Sequence, residues 1–203
     1  MTAANFWDKA AKKYSASPIA DMAAYDRTIA RTKEFISSGD HVLEIGCGTG
    51  GTAVKLAESA KHLTATDISQ EMLKIAAERH GDVSNVSFEV SNAKSATTGK
   101  YDVVCAFRLL HLVPDTRGLI DATFKAVKPG GYFISKTPCL GNMNFLIRLA
   151  IPALRLIGKA PDVSIFSDQQ LAQMISDAGF EIVEHVFHND KTTNPFIVAR
   201  RPK

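Results

Sequence analysis

The segment Val42-Leu43-Glu44-Ile45-Gly46-Cys47-Gly48-Thr49-Gly50-Gly51 constrains the fold more than any other stretch of this 203-residue chain. It reads as a buried strand running into a glycine-rich turn that opens directly into a helix. Gly46 and Gly48 permit positive φ and close backbone approach. The helix beginning near Gly50 offers free N–H groups and a positive dipole end. Bare backbone at such a turn is presented to a nucleotide-like or carboxylate-bearing ligand.

The rest of the chain repeats the strand-then-helix pattern. Apolar, β-branched runs recur at His41–Ile45, His62–Thr66, Val86–Val90, Tyr101–Phe107, Gly131–Lys136, Phe180–Phe187 and Phe196–Arg200. Helical patterns at Gly51–Ser59, Gln70–His80 and Thr116–Val127 have the length of crossover connections. The expected fold is α/β: a Rossmann-like, seven-stranded, mostly parallel sheet with helices on both faces and a C-terminal antiparallel strand. Ser167 is an N-cap for a helix over Asp168–Asp177, Gly179 stops it, and the last two strands, lacking a helical crossover, pair as a hairpin.

No repeat or linker divides the chain, so residues 1–203 read as one domain. Residues 1–38 supply two capping helices, Phe6–Tyr14 and Ala20–Ile36, the first with Phe6, Ala10, Lys13 and Tyr14 on one face. An irregular apolar stretch, residues 139–166, follows the fifth strand, where ligand crevices of α/β sheets open, and reads as a lid.

Composition removes several classes. A charged fraction of 22% with 45% apolar residues excludes a disordered chain. Twenty-four Lys and Arg against 21 Asp and Glu give a net charge of +3, far from the basic stripe that nucleic-acid binding requires. Cys47, Cys105 and Cys139 are odd in number and widely spaced, which points away from a disulfide framework or metal site and toward a reducing compartment. The N-terminus lacks a signal-peptide pattern, so a cytoplasmic location is expected. The most apolar stretch, Met143 to Ile157, contains Arg148, Pro152 and Arg155 and is shorter than the roughly twenty residues of a membrane span.

Asp67 ends the second strand roughly twenty residues after the first glycine, where a carboxylate chelates ribose hydroxyls. Gly46-x-Gly48-x-x-Gly51 also satisfies the dinucleotide fingerprint, so the loop alone leaves a nicotinamide oxidoreductase open. Glu44 counts against it, because a carboxylate beneath the loop repels a pyrophosphate, whereas a cationic ligand meets no such penalty. Tyr132-x-x-x-Lys136 matches a dehydrogenase pair, but in a strand its members stand about 13 Å apart.

At these residues the chain resembles the class I S-adenosylmethionine-dependent methyltransferases, small-molecule branch. Glu44-x-Gly46-x-Gly48-x-Gly50, with Cys47 between its glycines, looks like that family's first motif, and Asp67-Ile68 resembles its ribose-binding acid and adenine-flanking residue. Leu110-His111-Leu112-Val113-Pro114-Asp115 and Val127-Lys128-Pro129-Gly130-Gly131 are similar to two further motifs, in the same order, as is Phe166-Ser167 through Ala178-Gly179-Phe180. The resemblance implies S-adenosylmethionine as cofactor, S-adenosylhomocysteine as product and no metal. It also implies cofactor contacts from Asn92-Ala93, where the family usually carries Asp-Ala, and from Phe107. Asn still accepts through its carbonyl oxygen.

Methyl transfer from a sulfonium needs alignment and at most a positioned base. His111, just past the fourth strand at the carboxyl edge, is the candidate base; packing or substrate binding is the alternative. Tyr14, Tyr25 and Arg108 are candidate substrate contacts. In the lid, Arg148 and Arg155 are seven apart on one helical face among apolar residues, which suits an apolar or lipid-like acceptor bearing an anionic group. Simple packing, dimerisation or contact with a membrane surface would use the same face. Cys139 as a cytosine-type nucleophile is weighed against a small packing hydrophobe, and packing fits better. Asn194-Pro195-Phe196 lies too far from the fourth strand to serve amino methylation. His185 and His188, three apart in a strand, fall on opposite faces and cannot share a metal. Lys9, Lys12 and Lys13, like Arg200-Arg201-Pro202-Lys203, read as solvated. The expected protein is a monomeric or homodimeric methyltransferase of a small-molecule or lipid-like acceptor. A non-catalytic S-adenosylmethionine-binding or regulatory protein and an oxidoreductase are the alternatives.

Overall fold

The β-branched runs pair into one seven-stranded sheet in a computed structural model that describes residues 2–143, 162–189 and 193–203. The strands are β1 (His41–Ile45), β2 (His62–Asp67), β3 (Val86–Val90), β4 (Tyr101–Phe107), β5 (Val127–Lys136), β6 (Glu181–Val186) and β7 (Phe196–Arg200), in the order β3-β2-β1-β4-β5-β7-β6. The pairs from β3 through β5 are parallel, and β7 runs antiparallel between β5 and β6. The hairpin pairing of the last two strands is present. What the sequence did not reveal is that β7, not β6, is the inner strand: Phe196, Ile197, Val198 and Ala199 are all fully buried. A continuous apolar run, instead of an alternating one, is the mark of a strand covered on both faces.

The described helices are α1 (Ala3–Ala16), α2 (Met22–Lys33), α3 (Gly51–Ala57), α4 (Gln70–His80), α5 (Thr116–Ala126) and α6 (Asp168–Asp177). Alternate strand residues feed two cores. Leu43, Val104 and Phe133 meet α5 and α6 through Leu119, Ile120, Leu171 and Ile175. Val42, Leu63 and Cys105 meet α2, α3 and α4 through Ile29, Leu56 and Leu73. Caps set the helix starts: Ser69 accepts from Met72 N at 3.1 Å, Asp115 from Gly118 N at 2.9 Å, and Ser167 forms a capping box with Gln170. β5 begins four residues earlier than the sequence pattern predicts, because Val127 pairs with Tyr101 before an irregularity at Lys128–Gly131 restores the register at Val103–Tyr132.

On α1 the inward stripe is displaced from the expected one. Ala11 is fully buried, and Trp7 and Tyr14 stand on the same side, so the spacing 7, 11, 14 replaces Phe6, Ala10, Lys13. The lid expected over 139–166 lies outside the described residues from 144 to 161, and Arg148 and Arg155 with it. Among the described residues, no helix is long and apolar enough to cross a membrane.

Candidate functional site

At the carboxyl edge of β1 the chain turns through Gly46 (φ 72°), Gly48 (φ 56°) and Gly50 (φ 79°). Gly46 N and Cys47 N both donate to Thr66 O, at 2.7 and 2.9 Å, so the turn is folded onto the end of β2. A Cβ on Gly46 would come within 2.7 Å of Leu109, and one on Gly50 within 2.8 Å of Phe88. A Cβ on Gly48 would meet only the Tyr14 ring, at 3.7 Å. Gly46 and Gly50 are therefore required by packing as well as dihedral angle. Gly48 presents bare backbone to a largely apolar cleft of about 550 Å³.

Asp67 closes one side of that cleft. Its carboxylate accepts from Gly48 N and from Ser69 N, each at 2.9 Å, so it both lines the cleft and braces the glycine loop. Burial pushes its acidity down while the backbone donors hold the ionised form, and the net direction is upward. Each oxygen keeps a second lone pair for a ligand hydroxyl. Ile68 and Ala93 line the same side. Asn92 also lines it, with its amide engaged in a turn: Oδ1 accepts from Ser95 N at 2.9 Å and Nδ2 donates to Ser95 Oγ at 2.8 Å.

Glu44 stands behind the loop, 2% exposed, with no hydrogen-bond partner for Oε2. Burial first, and then the neighbouring Asp67 charge, push its carboxyl up to about 8. A buried acid of this kind is neutral until a cation is placed beside it.

The opposite wall is built by Phe107, Arg108, Leu109, His111 and Leu112. Arg108 takes φ 55°, and its N–H donates to Lys136 O at 2.6 Å. The turn that follows is pinned from four directions. Leu110 N donates to Thr137 Oγ1 at 3.2 Å, Thr116 Oγ1 donates to Leu110 O at 3.0 Å, Ser164 N donates to His111 O at 2.7 Å, and Ser164 Oγ donates to Val113 O at 2.9 Å. His111 is thereby held with Nδ1 buried and unpartnered. Burial, then the Arg108 charge, lowers its imidazole to about 4, so it stays neutral near pH 7.

The third side is α1. Ala3, Trp7 and Tyr14 face the cleft, Trp7 and Tyr14 meeting edge to face at 6.3 Å between centroids. The helix is held there by Asp8, whose Oδ1 accepts from Ser69 Oγ at 2.7 Å and from Glu71 N at 3.3 Å.

The structure thus brings Gly46, Gly48, Asp67, Ile68, Asn92, Ala93 and Phe107 together with Tyr14, Arg108 and His111 around one cleft. Glu44, Cys47 and Gly50 lie behind its wall. Tyr25 does not line it; its hydroxyl is paired with Thr52 Oγ1 at 3.3 Å and Lys55 sits over its ring. The sequence reading missed Trp7, Leu109 and Leu140; the seven-residue spacing of Trp7 and Tyr14 was the available signal for the first. Cys139 is fully buried, its thiol pushed up to about 12 by burial, which fits packing and not nucleophilic attack. Lys136 ends β5 and donates to Thr28 Oγ1 at 2.7 Å, in the strand setting that separates it from Tyr132. β6 ends at Val186, one residue short of the expected Phe187, so His188 lies outside the strand that was expected to hold it with His185. The His188 Nδ1 is 2.9 Å from Thr28 Oγ1 and its ring lies on Phe196.

Comparison with known proteins fits this geometry. A ubiquinone biosynthesis O-methyltransferase of Psychrobacter arcticus is 30% identical over 161 residues, covering 74% of this chain and 62% of that protein. A protein of the same name from Bordetella avium is 31% identical over 152 residues, covering 70% and 63%. The chain spans a little under two thirds of the length of these relatives. In fold it is similar to the N-methyltransferase NodS of Bradyrhizobium japonicum in complex with S-adenosyl-L-homocysteine, at TM-score 0.71 and 19% identity, covering 97% of this chain and 99% of that one. It is similar also to the [4+2]-cyclase SpnF, at TM-score 0.69 and 18% identity, covering 87% and 80%. Residues 19–185 match the family described as a methyltransferase domain, and the chain belongs to that family.

Proposed function

We propose that this protein is an S-adenosylmethionine-dependent methyltransferase acting on a small, apolar or lipid-like acceptor. The observation that carries the reading is the open glycine cradle braced by Asp67, with the unpartnered Glu44 carboxyl buried behind it. The residues fit the cofactor. Asp67 has lone pairs left for two ribose hydroxyls, Ile68 and Ala93 offer apolar flanks to a flat ring, and Asn92 Oδ1 keeps one lone pair for an amine. Glu44 favours a cationic group over the loop, which a pyrophosphate could not supply.

When bound, S-adenosylmethionine supplies a methyl already activated on a sulfonium. The chain's own work is then alignment and exclusion of water. Trp7 and Tyr14 cover the cleft, Phe107 and Leu109 form an apolar wall, and the neutral His111 imidazole on that wall is the candidate to take a proton from an acceptor. The relatives named for ubiquinone O-methylation support an oxygen nucleophile on a lipid-like molecule. We read the whole chain as one domain, capped by residues 1–38 and completed by a lid at 139–166. A cytoplasmic location is supported by three buried, unpaired cysteines.

Calorimetry with S-adenosylhomocysteine, S-adenosylmethionine and NADH tests the cofactor. Binding of the first two alone is expected, and binding of NADH without either would overturn the reading. A metabolite extract incubated with labelled methyl donor then tests turnover. The cyclase neighbour shows that this fold also serves other reactions, so cofactor binding with no labelled product from any extract would favour a non-methylating protein.

A further inference from the structure

Arg108 is the one described non-glycine residue with positive φ, at 55°. Such a backbone is uncommon for a long side chain and is strained, and it persists where surrounding contacts enforce it. Here the 2.6 Å bond from its N–H to Lys136 O and the pinned turn after it do so. The result is an exposed guanidinium on the wall of the cleft with no ion pair or hydrogen bond among the described residues. Other described arginines are committed: Arg31 is paired with Glu34 and Glu184, Arg117 with Asp177, and Arg27 donates to His188 O.

Three residues on, His111 lines the same cleft with its Nδ1 buried and unpartnered, and Leu109, Leu112, Leu140 and Val163 add apolar lining. Lys94 lines the cleft too but is ion-paired with Asp115 at 3.6 Å, so Arg108 is the cleft cation without a carboxylate partner among the described residues. An unpaired cation beside apolar surface favours a ligand with one anionic group on an apolar body, through a charge-assisted bond. We propose that Arg108 is a specificity residue for the methyl acceptor: it grips a carboxylate or phosphate, so the acceptor is an amphiphilic anion whose nucleophile lies beside that group and within reach of His111. This inference rests on the methyltransferase reading and adds the acceptor's chemical class. The proton released on methylation passes to the neutral His111 imidazole, and the acceptor heteroatom forms its bond to carbon as the carbon–sulfur bond breaks.

The test uses the full chain saturated with S-adenosylhomocysteine. The single tryptophan, Trp7, lines the cleft and reports binding by fluorescence. Two matched probe pairs are titrated: 4-heptylbenzoate against 4-heptylbenzamide, and octyl phosphate against octanol. We expect at least one anion to bind tenfold or more tightly than its neutral partner. Arg108→Gln, which keeps a polar side chain and the backbone strain while removing the charge, should erase that ratio, and Arg108→Lys should retain part of it. Arg108→Asn, a residue tolerant of positive φ, should erase the ratio while raising Tm by about 2 °C. Equal binding of both members in both pairs would overturn the proposal. So would a ratio that survives Arg108→Gln, a Tm that falls in Arg108→Asn, or a loss of S-adenosylhomocysteine affinity in Arg108→Gln, which would assign the guanidinium to the cofactor. Cofactor affinity is measured separately. If the wild type fails to bind S-adenosylhomocysteine, the cofactor reading fails, and the same pairs titrated into the free protein still decide the anion preference.

Discussion

Replacing Glu44 with Gln should change how stability depends on pH. The Glu44 carboxyl is buried, and it titrates near 8 in the folded chain against an ordinary value of 4.5. Between those values the folded protein holds a proton that the unfolded chain has released, so folding free energy is lost as pH rises, by about 1.4 kcal/mol per unit. From pH 5 to pH 7.5 this one group removes about 3 kcal/mol, a large share of the typical 5–15 kcal/mol of a domain. Gln keeps the shape and cannot ionise. It leaves an unpaired amide in place of the unpaired Oε2, a penalty of about 1–3 kcal/mol that is the same at every pH. Urea unfolding of both proteins at pH 5, 6, 7 and 8, without ligand, gives the difference profile, in which the shared histidines cancel. We expect Glu44→Gln to gain on the wild type by about 1 kcal/mol or more per unit above pH 5. A second arm measures S-adenosylmethionine affinity, which should rise with pH in the wild type as the carboxylate forms, and be weaker and flat in the variant. Parallel stability profiles would refute the buried, protonated acid.

Further outcomes follow from the same geometry. Asp67→Asn removes a charged acceptor and opposes one of the two backbone donors it now serves, so S-adenosylhomocysteine affinity by calorimetry should fall at least tenfold. Gly48→Val places a β-branched residue at φ 56° and should abolish detectable binding; an unaltered Kd in either variant would contradict the cradle. His111 has its folded value depressed to about 4, so between there and about 6.5 the unfolded chain binds the extra proton and stability falls as pH falls. His111→Gln should therefore lose about 1–2 kcal/mol less than the wild type between pH 7 and pH 5, read by urea unfolding. Arg201 Nη1 donates to Phe124 O at 2.9 Å and Val127 O at 2.7 Å while its guanidinium lies over the Phe124 ring, closing the end of α5. Arg201→Met should cost about 2 kcal/mol and lower Tm by about 4–8 °C in calorimetry.

Much of this architecture was legible in the residues because local signals and tertiary demands agreed. The strand runs, the cap at Ser167 and the glycine turn each had a short-range cause, and each recurs in the structure. Two kinds of information were absent. Strand neighbours are long-range: the continuous apolar run of Phe196–Arg200 suits a strand covered on both faces, but it does not name β5 and β6 as the neighbours of β7. Side-chain commitments are also non-local. Asp67 was readable as a ligand group but not as the brace of Gly48, Arg201 looked solvated but caps α5, and Tyr25 seemed free to meet substrate until Thr52 and Lys55 claimed it. Arg108 was readable as a candidate substrate contact, but not its dihedral angle, which is held by Lys136 on the neighbouring strand.

The interior position of β7 has a consequence for the protein's opening motions. β6 touches the sheet through β7 and no other strand, and β7 follows it in the chain. The main-chain amides of β6 cannot be shielded from solvent while β7 is detached, whereas β5 loses one neighbour and keeps β4. Amide hydrogen exchange should therefore report β6 and β7 as a single cooperative foldon that opens below the global unfolding free energy, with the β3-β2-β1-β4-β5 slab remaining protected. The edge that carries the glycine turn would then survive fluctuations that undo the protein's other end.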